Sequence, residues 1–399
     1  MNFSVFCSFD VDTASFRQMH GHSMGLAKLG HQVHLVVHPF KYHPERSSAH
    51  RQITDKLSHD IERVKISLVY SWVFRASLPW LGLFPYLFCS LPNILWKLLR
   101  SDFVIIYKPL PLSTFYAWIL KRLLRKKGLV LLLDDWEGVG GFANTRSANS
   151  VIKKTLLTFC EEYTPALVDS IQSTSKVLHE RMQLSKYSLG KSIYLSHGCQ
   201  SLVLPDFPAH SPAIHVVYAG SYKSSYLVQF LASVVLATCS RTTNIHFTFI
   251  GAGKRLDLFK DLVSQFEPTI QSHVRLTGYI SEEDKIACLS QAQIALLYLN
   301  DQYPETLIDL SRSSTKLFEY LSAGRVVIAS DFGEPRQILA EGETGYLCNN
   351  DPIHFAEKII AVSSSPEKMQ AVSRQAKQLF ETSFTYPILM GKLIPFLQR

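Results

Sequence analysis

Lys316 and Glu319 stand three residues apart behind a run of hydroxyl side chains, Ser311, Ser313, Ser314 and Thr315. Serine is a favoured N-cap, so the pattern predicts a helix that starts within residues 311–314 and stops at Gly324. The first turn of such a helix carries unsatisfied backbone N–H groups and the positive end of the dipole, which suits a phosphate. Lys316 adds a full charge there, and Glu319 follows on the same face about 4.5 Å along the axis. A diphosphate at the helix tip would leave a ribose near Glu319, whose carboxylate can accept from two hydroxyls. The candidates in this segment are Lys316 as the catalytic cation and Ser311, Ser314, Thr315, Leu317 and Glu319 as binding residues. Spacing alone also fits a solvated Lys–Glu pair on an ordinary helix.

A second acidic group follows the apolar run Leu129–Leu133: Asp134, Asp135, Trp136, Glu137. Carboxylates at the carboxyl end of a strand can accept from ligand hydroxyls. The alternative is a helix-capping or hydrated turn. Asp134 and Asp135 are the candidates.

Strands and helices must position these groups. FSVFCSF (3–9), a helix over 14–29 stopped by Gly30, and HQVHLVVH (31–38) form a βαβ unit and imply a parallel sheet. FVIIY (103–107), LVLLL (129–133) and SIYLS (192–196) continue it. Three prolines within 205–212 mark a linker. The alternation then restarts with IHVVYAG, a helix over 226–239, IHFTFIGAG, HVRLTGY, QIALLYL and RVVIASD. Two doubly wound α/β domains facing each other across a cleft are expected, 1–205 and 206–383, followed by a tail, 384–399. Ligands of such sheets sit at the strand carboxyl ends, here Gly220-Ser221, Gly251-Ala252-Gly253 and Gly278-Tyr279. Singly these glycines are ordinary turns; three in one domain suggest a nucleotide-sized cleft.

The chain has 399 residues, of which 47% are hydrophobic and 19% charged, which excludes a disordered or collagen-like protein. Seven scattered cysteines without a CxxC pair argue against a disulfide framework or zinc site and suit a reducing cytosol. No basic stretch precedes an apolar run at the start, so no cleaved signal peptide is expected. Residues 1–199 carry a net charge of +10 and residues 200–399 of −2, so the first half is expected to meet something acidic.

Residues 311–348 resemble the donor-binding signature of retaining glycosyltransferases of the GT-B fold, the family that includes phosphatidylinositol mannosyltransferases and sucrose synthases. Lys316, Glu319, Gly324, Val326-Val327-Ile328-Ala329-Ser330 and Gly333 fall in step with it. LSHGCQ (195–200), VVYAGSY (216–222), FTFIGAGKR (247–255) and VRLTGYISEED (274–284) match further pieces in order. The resemblance implies two Rossmann-like domains, a C-terminal helix in 384–399 that packs back on the first, and a nucleoside diphosphate sugar as donor, with no metal or cofactor. It implies that Glu319 holds the ribose and Lys316 the diphosphate, with Gly220, Ser221 and Lys223 near the phosphates. Gly278 and Tyr279 would face the base. The departures are Ser311 where a second glutamate is usual, Asp134 where a histidine is usual, and VDTASFR (11–17) in place of a glycine-rich loop. That last segment leaves Thr13, Ser15 or Arg17 to reach the donor.

Other motifs are decoys. Asp10-Val11-Asp12 spells a metal motif of a different fold and reads as a helix N-cap region. His31 faces away from His34 and His38 on a strand, which disfavours a zinc cluster. Gly251-Ala252-Gly253 lacks the third glycine of a dinucleotide fingerprint. The uncharged stretch 76–96 is interrupted by Pro79, Pro85 and Pro92, so it reads as an interfacial or buried segment, not a span. A helix over 113–127 with Lys121, Arg122, Arg125, Lys126 and Lys127 beside aromatics suits an anionic bilayer, or else a solvated face. No nucleic-acid module is present. The expected protein is a cytoplasmic transferase, possible at the cytosolic membrane face, that moves a sugar to a glycan or lipid-linked hydroxyl acceptor. The alternatives are a catalytically impaired nucleotide-sugar-binding scaffold, and an epimerase or hydrolase on the same fold.

Overall fold

A computed structural model describes residues 1–8, 14–38, 64–68, 91–144, 151–184, 191–205, 207–209, 211–301 and 306–399. Asp10-Val11-Asp12, Thr13 and the stretch 76–90 lie outside the described residues. Contacts divide the chain into two units. Unit 1 comprises Met1–Gly198, Ser311–Ser313 and Tyr386–Arg399, and unit 2 comprises Cys199–Leu310 and Ser314–Thr385.

Unit 1 is built on a parallel sheet of seven strands. These are β1 (Asn2–Cys7), β2 (Gln32–Val37), β3 (Val64–Leu68), β4 (Phe103–Tyr107), β5 (Leu129–Leu133), β6 (Ser170–Ser173) and β7 (Lys191–Tyr194). Their order is β3-β2-β1-β4-β5-β6-β7, so the winding reverses between β1 and β4. β1, β4 and β5 are apolar on both faces because helices cover both. On one face lie the helices Ala14–Lys28 and Tyr386–Leu397, whose close approach depends on glycine. A Cβ at Gly21 would sit 2.0 Å from the Tyr386 ring. On the other face lie a helix over 91–99 and the helices Pro111–Trp118 and Lys176–Gln183. The helix expected over 113–127 is shorter: after Trp118 the chain makes one π turn, Ile119–Leu123, and leaves the helix. Arg125 takes a positive φ of 49° and Gly128 one of 74°, which turns the chain into β5.

Unit 2 repeats the plan with six parallel strands. These are β8 (Ile214–Ala219), β9 (Ile245–Ile250), β10 (Val274–Gly278), β11 (Ile294–Leu297), β12 (Val326–Ser330) and β13 (Tyr346–Cys348), in the order β10-β9-β8-β11-β12-β13. The helices Ser225–Cys239 and Pro352–Ser363 pack one face, and Glu282–Gln291, Thr315–Ser322 and Pro366–Ser383 the other. The division between units falls at Gly198, ahead of the proline run at 205–212. The reason is local hydrogen bonding. Leu202 N–H donates to Ser322 Oγ at 2.8 Å, and Ser322 Oγ donates to the Gln200 carbonyl at 3.2 Å, so residues 199–204 belong to unit 2.

Candidate functional site

In unit 2 the helix Thr315–Ser322 is placed by its own sequence. Leu317, Phe318, Tyr320 and Leu321 are buried and fix its inner face. The Tyr320 hydroxyl accepts from Ala219 N–H at 2.8 Å, which ties the helix to the end of β8. Ser314 is the N-cap, but its hydroxyl caps nothing. Instead, Glu334 from the loop after β12 accepts the Ser314 N–H at 2.8 Å while buried. Gly324 ends the segment at φ 61°.

One turn before Tyr320, Lys316 reaches the carboxyl end of β8. Its Nζ donates to the Tyr218 hydroxyl at 3.1 Å and lies 5.0 Å from the centre of that ring. The lysine stem lies against Gly220, where a Cβ would come within 2.5 Å of Lys316 Cε. Gly251, at φ 129°, presses in turn on Gly220, since a Cβ there would meet the Gly220 carbonyl at 2.0 Å. Backbone packed this closely brings the ends of β8 and β9 under one ammonium group. Glu319 Oε2 lies 3.4 Å from Lys285 Nζ, and Lys285 also pairs with Glu282 at 2.7 Å. Burial lowers the affinity of Lys285 for its proton, but the two carboxylates more than offset this and its pKa is raised. The Glu319 carboxylate is therefore oriented and partly accessible, and can accept hydroxyl hydrogen bonds.

Unit 1 holds a denser charge cluster. Lys108, just past β4, adopts a positive φ of 61° and is buried. Its Nζ contacts Asp135, and lies 3.3 Å from Asp134 and 3.2 Å from Glu137. His197 Nε2 contacts Asp134 Oδ1, and Ser15 Oγ lies 3.5 Å from Asp134 Oδ2. Burial pushes the Asp134 pKa up, but Lys108 and His197 overcome this and hold it well below the usual carboxylate range. For Glu137 burial dominates, and its pKa is raised despite Lys108. Asp135 is the most exposed of the three, with 18% of its side chain accessible. The acidic loop is braced from behind. Gly138 N–H donates to Glu161 at 2.7 Å, Arg181 pairs with Glu161 at 2.6 Å, and Arg181 stacks 4.2 Å from the Trp136 ring centre.

The structure thus brings Gly220 and Lys316 together in unit 2 and Asp134 and Asp135 together in unit 1. Thr315 and Lys316 are partly accessible, whereas Leu317 and Ser314 are buried. Ser221 and Lys223 are exposed on the loop after β8, and Tyr279 is 84% exposed after β10. Gly278 ends β10 at φ 70° and its carbonyl accepts from Gly251 N–H at 2.8 Å. Ser311 is buried, and its carbonyl accepts from Ser175 Oγ in unit 1. Arg17 is exposed on the helix Ala14–Lys28. Sequence reading missed Tyr218, Lys285, Glu334, Lys108, Glu137 and His197 as site residues. His197 stood in LSHGCQ, so it had a signal. Nothing in the sequence marks Lys108 or Lys285 as the partner of a particular carboxylate.

Comparison with known proteins agrees with this geometry. Residues 213–365 match the family described as glycosyl transferases group 1. No curated protein matches the chain. Among solved structures, sucrose-phosphate synthase from Thermosynechococcus elongatus is 15% identical with a TM-score of 0.67, covering 100% of this chain and 99% of that one. Anabaena Alr3699/HepE in complex with UDP-glucose is 13% identical with a TM-score of 0.66, at 100% and 99% coverage. S. aureus TarM, solved as a point mutant with Fondaparinux, alpha-GlcNAc-glycerol and UDP, is 10% identical with a TM-score of 0.70, at 100% coverage of both chains. At such identities the likeness establishes the fold, and that fold is GT-B, two Rossmann-like α/β domains.

Proposed function

We propose that this chain, a glycosyltransferase with a group 1 domain on a GT-B fold, transfers a sugar from a nucleoside diphosphate sugar to a hydroxyl acceptor with retention of configuration. The carrying observation is Lys316, held by Tyr218 and Gly220 at the carboxyl end of β8 one helical turn before the Glu319 carboxylate. Lys316 stabilises charge that develops on the departing diphosphate, and Glu319 accepts from the ribose. Lys223 and Ser221 border the phosphates, and Gly278 and Tyr279 the base. The UDP named with HepE and TarM supports a uridine nucleotide among the donors to try first.

The carboxylates of unit 1 take hydroxyl groups. Asp135 is the accessible acceptor, and Asp134 is kept ionised by Lys108 and His197. A lipid-linked or cell-surface glycan fits the surface of this unit. Trp96, Leu99, Trp118, Leu123 and Leu124 are exposed among Lys97, Arg100, Arg122 and Arg125. Arg100 stacks 3.9 Å from the Trp96 ring centre, and Lys126 donates to the Ser101 carbonyl, which joins the two segments into one basic, aromatic patch. Such a patch suits an anionic bilayer on the cytosolic side. Among the described residues no helix is long and apolar enough to cross a membrane.

The test is a thermal-shift panel of UDP, GDP, ADP and their sugars, followed by transfer assays. One nucleotide should stabilise the wild type, and Lys316→Ala should cut transfer to a small residual rate while the fold persists. Full turnover by Lys316→Ala refutes the reading. Donor consumption without acceptor would favour an epimerase or hydrolase, and donor binding without turnover across an acceptor panel a scaffold.

A further inference from the structure

A cavity of about 380 Å³ opens at the opposite end of the unit 1 sheet, where the strands begin. Phe103, Ser170 and Lys191 are first residues of β4, β6 and β7, and Gly128 immediately precedes β5; all four line it. Its apolar wall is Phe103, Val130 and Leu397. Its charged lining is Lys121, Lys127, Lys191 and Asp169. Asp169 is committed twice over: Oδ1 contacts Lys121 Nζ, and Oδ2 accepts Leu129 N–H at 2.9 Å. Lys127 and Lys191 come from different segments, are exposed, and have no carboxylate partner among the described residues. Once the Lys121–Asp169 pair cancels, the lining carries two positive charges.

Lys127 and Lys191 both line the cavity, so its wall carries two ammonium charges without a carboxylate partner among the described residues, a lining that favours an anion. A dianion matches them in charge, and a phosphate monoester is the common biological dianion near neutral pH. The volume falls within the range of small-molecule sites, about 300–1,000 Å³, and exceeds what a bare phosphate fills. The apolar wall offers surface to an ester group. We propose that this cavity is a binding site for a phosphate monoester, separate from the strand carboxyl ends and independent of the donor reading. The headgroup of a lipid such as phosphatidic acid and a soluble phosphorylated metabolite share this chemistry.

The experiment has two arms on the full chain. In the soluble arm, glycerol 3-phosphate is titrated calorimetrically. In the lipid arm, flotation is measured with phosphatidylcholine vesicles containing phosphatidic acid, against vesicles of phosphatidylcholine alone. Each arm compares the wild type with the double variant Lys127→Ala/Lys191→Ala. A charge-matched control, Lys28→Ala/Lys176→Ala, removes two exposed lysines of the same unit outside the cavity. The cavity variant should bind about tenfold or more weakly while the control stays at wild-type affinity, because two charge-assisted hydrogen bonds are lost. Such a loss in the soluble arm identifies a free phosphate ester, and a loss confined to the lipid arm identifies the headgroup. Equal weakening of both variants means diffuse charge and overturns the site, as does absence of wild-type binding in both arms. All three proteins should melt at similar temperatures, since the four lysines are exposed.

Discussion

Gly220→Ala isolates the contact on which the donor reading rests. An alanine Cβ would stand 2.5 Å from Lys316 Cε and 2.8 Å from Nζ. The ammonium group would therefore have to retreat by about 1 Å to restore ordinary van der Waals contact. It can do so, because the closest clash is with the far end of a flexible side chain, while the Tyr218 hydroxyl, 3.0 Å from the Cβ, has to give by only a few tenths of an ångström. Gly220 also lacks a left-handed φ, so its backbone accepts alanine. The stability change should be small. Alanine at a compatible position gains about 0.4–1 kcal/mol through the unfolded chain. Loss of the lysine from the Tyr218 ring forfeits about 0.5–1 kcal/mol. Catalysis should suffer far more, since a 1 Å misplacement costs about 10²-fold in rate, or about 2.7 kcal/mol. The assay is kcat for sugar transfer in wild type, Gly220→Ala, Lys316→Ala and the double variant, with melting temperatures alongside. In the Lys316→Ala background the added methyl has no lysine to displace, so the second substitution should cost almost nothing. Wild-type kcat for Gly220→Ala, or losses that simply add in the double variant, would refute the argument.

Lys108→Met removes the cation shared by Asp134, Asp135 and Glu137 and leaves buried carboxylates facing one another; chemical denaturation should show a loss of about 3–5 kcal/mol. Glu319→Ala should raise the donor KM about tenfold or more with a smaller effect on kcat, measured by initial rates, because the ribose contact is made before and during transfer alike. Burial lowers the His22 pKa from its usual 6.5 to about 3, with His197 adding to the effect and Asp134 opposing it. The unfolded chain therefore takes up a proton that the native one refuses as pH falls from 6.5 towards 3. His22 should cost about 1.4 kcal/mol of stability per pH unit in that window, and His22→Gln should flatten the wild-type pH–stability curve by that slope in urea melts.

The α/β alternation was legible because strands buried on both faces read as near-continuous apolar runs, as in β4 and β5. The switch of winding between β1 and β4 follows from pairing and was not written in any one segment. β6, Ser-Ile-Gln-Ser, escaped the reading: its polar residues are buried, and the Gln172 side-chain amide has no hydrogen-bond partner among the described residues. β3, Val-Lys-Ile-Ser-Leu, interleaves polar with apolar residues and so lacks a continuous apolar run, and β13 is only three residues long. That Lys316 and Glu319 share a helix face was legible from their i, i+3 spacing, and their assignment to a donor came from the resemblance. What stands beside them was not legible, because Tyr218, Lys285 and Glu334 come from separate segments that only the sheet order brings to the same place. In unit 1, Asp134 and Asp135 could be read as acids at a strand end, but their charge state depends on Lys108 and His197. Local pattern along the chain set the helices, strands and the helix tip. Tertiary packing alone decided which charges are buried together, because the cost of burying a carboxylate depends on what lies within a few ångströms in space, not in sequence.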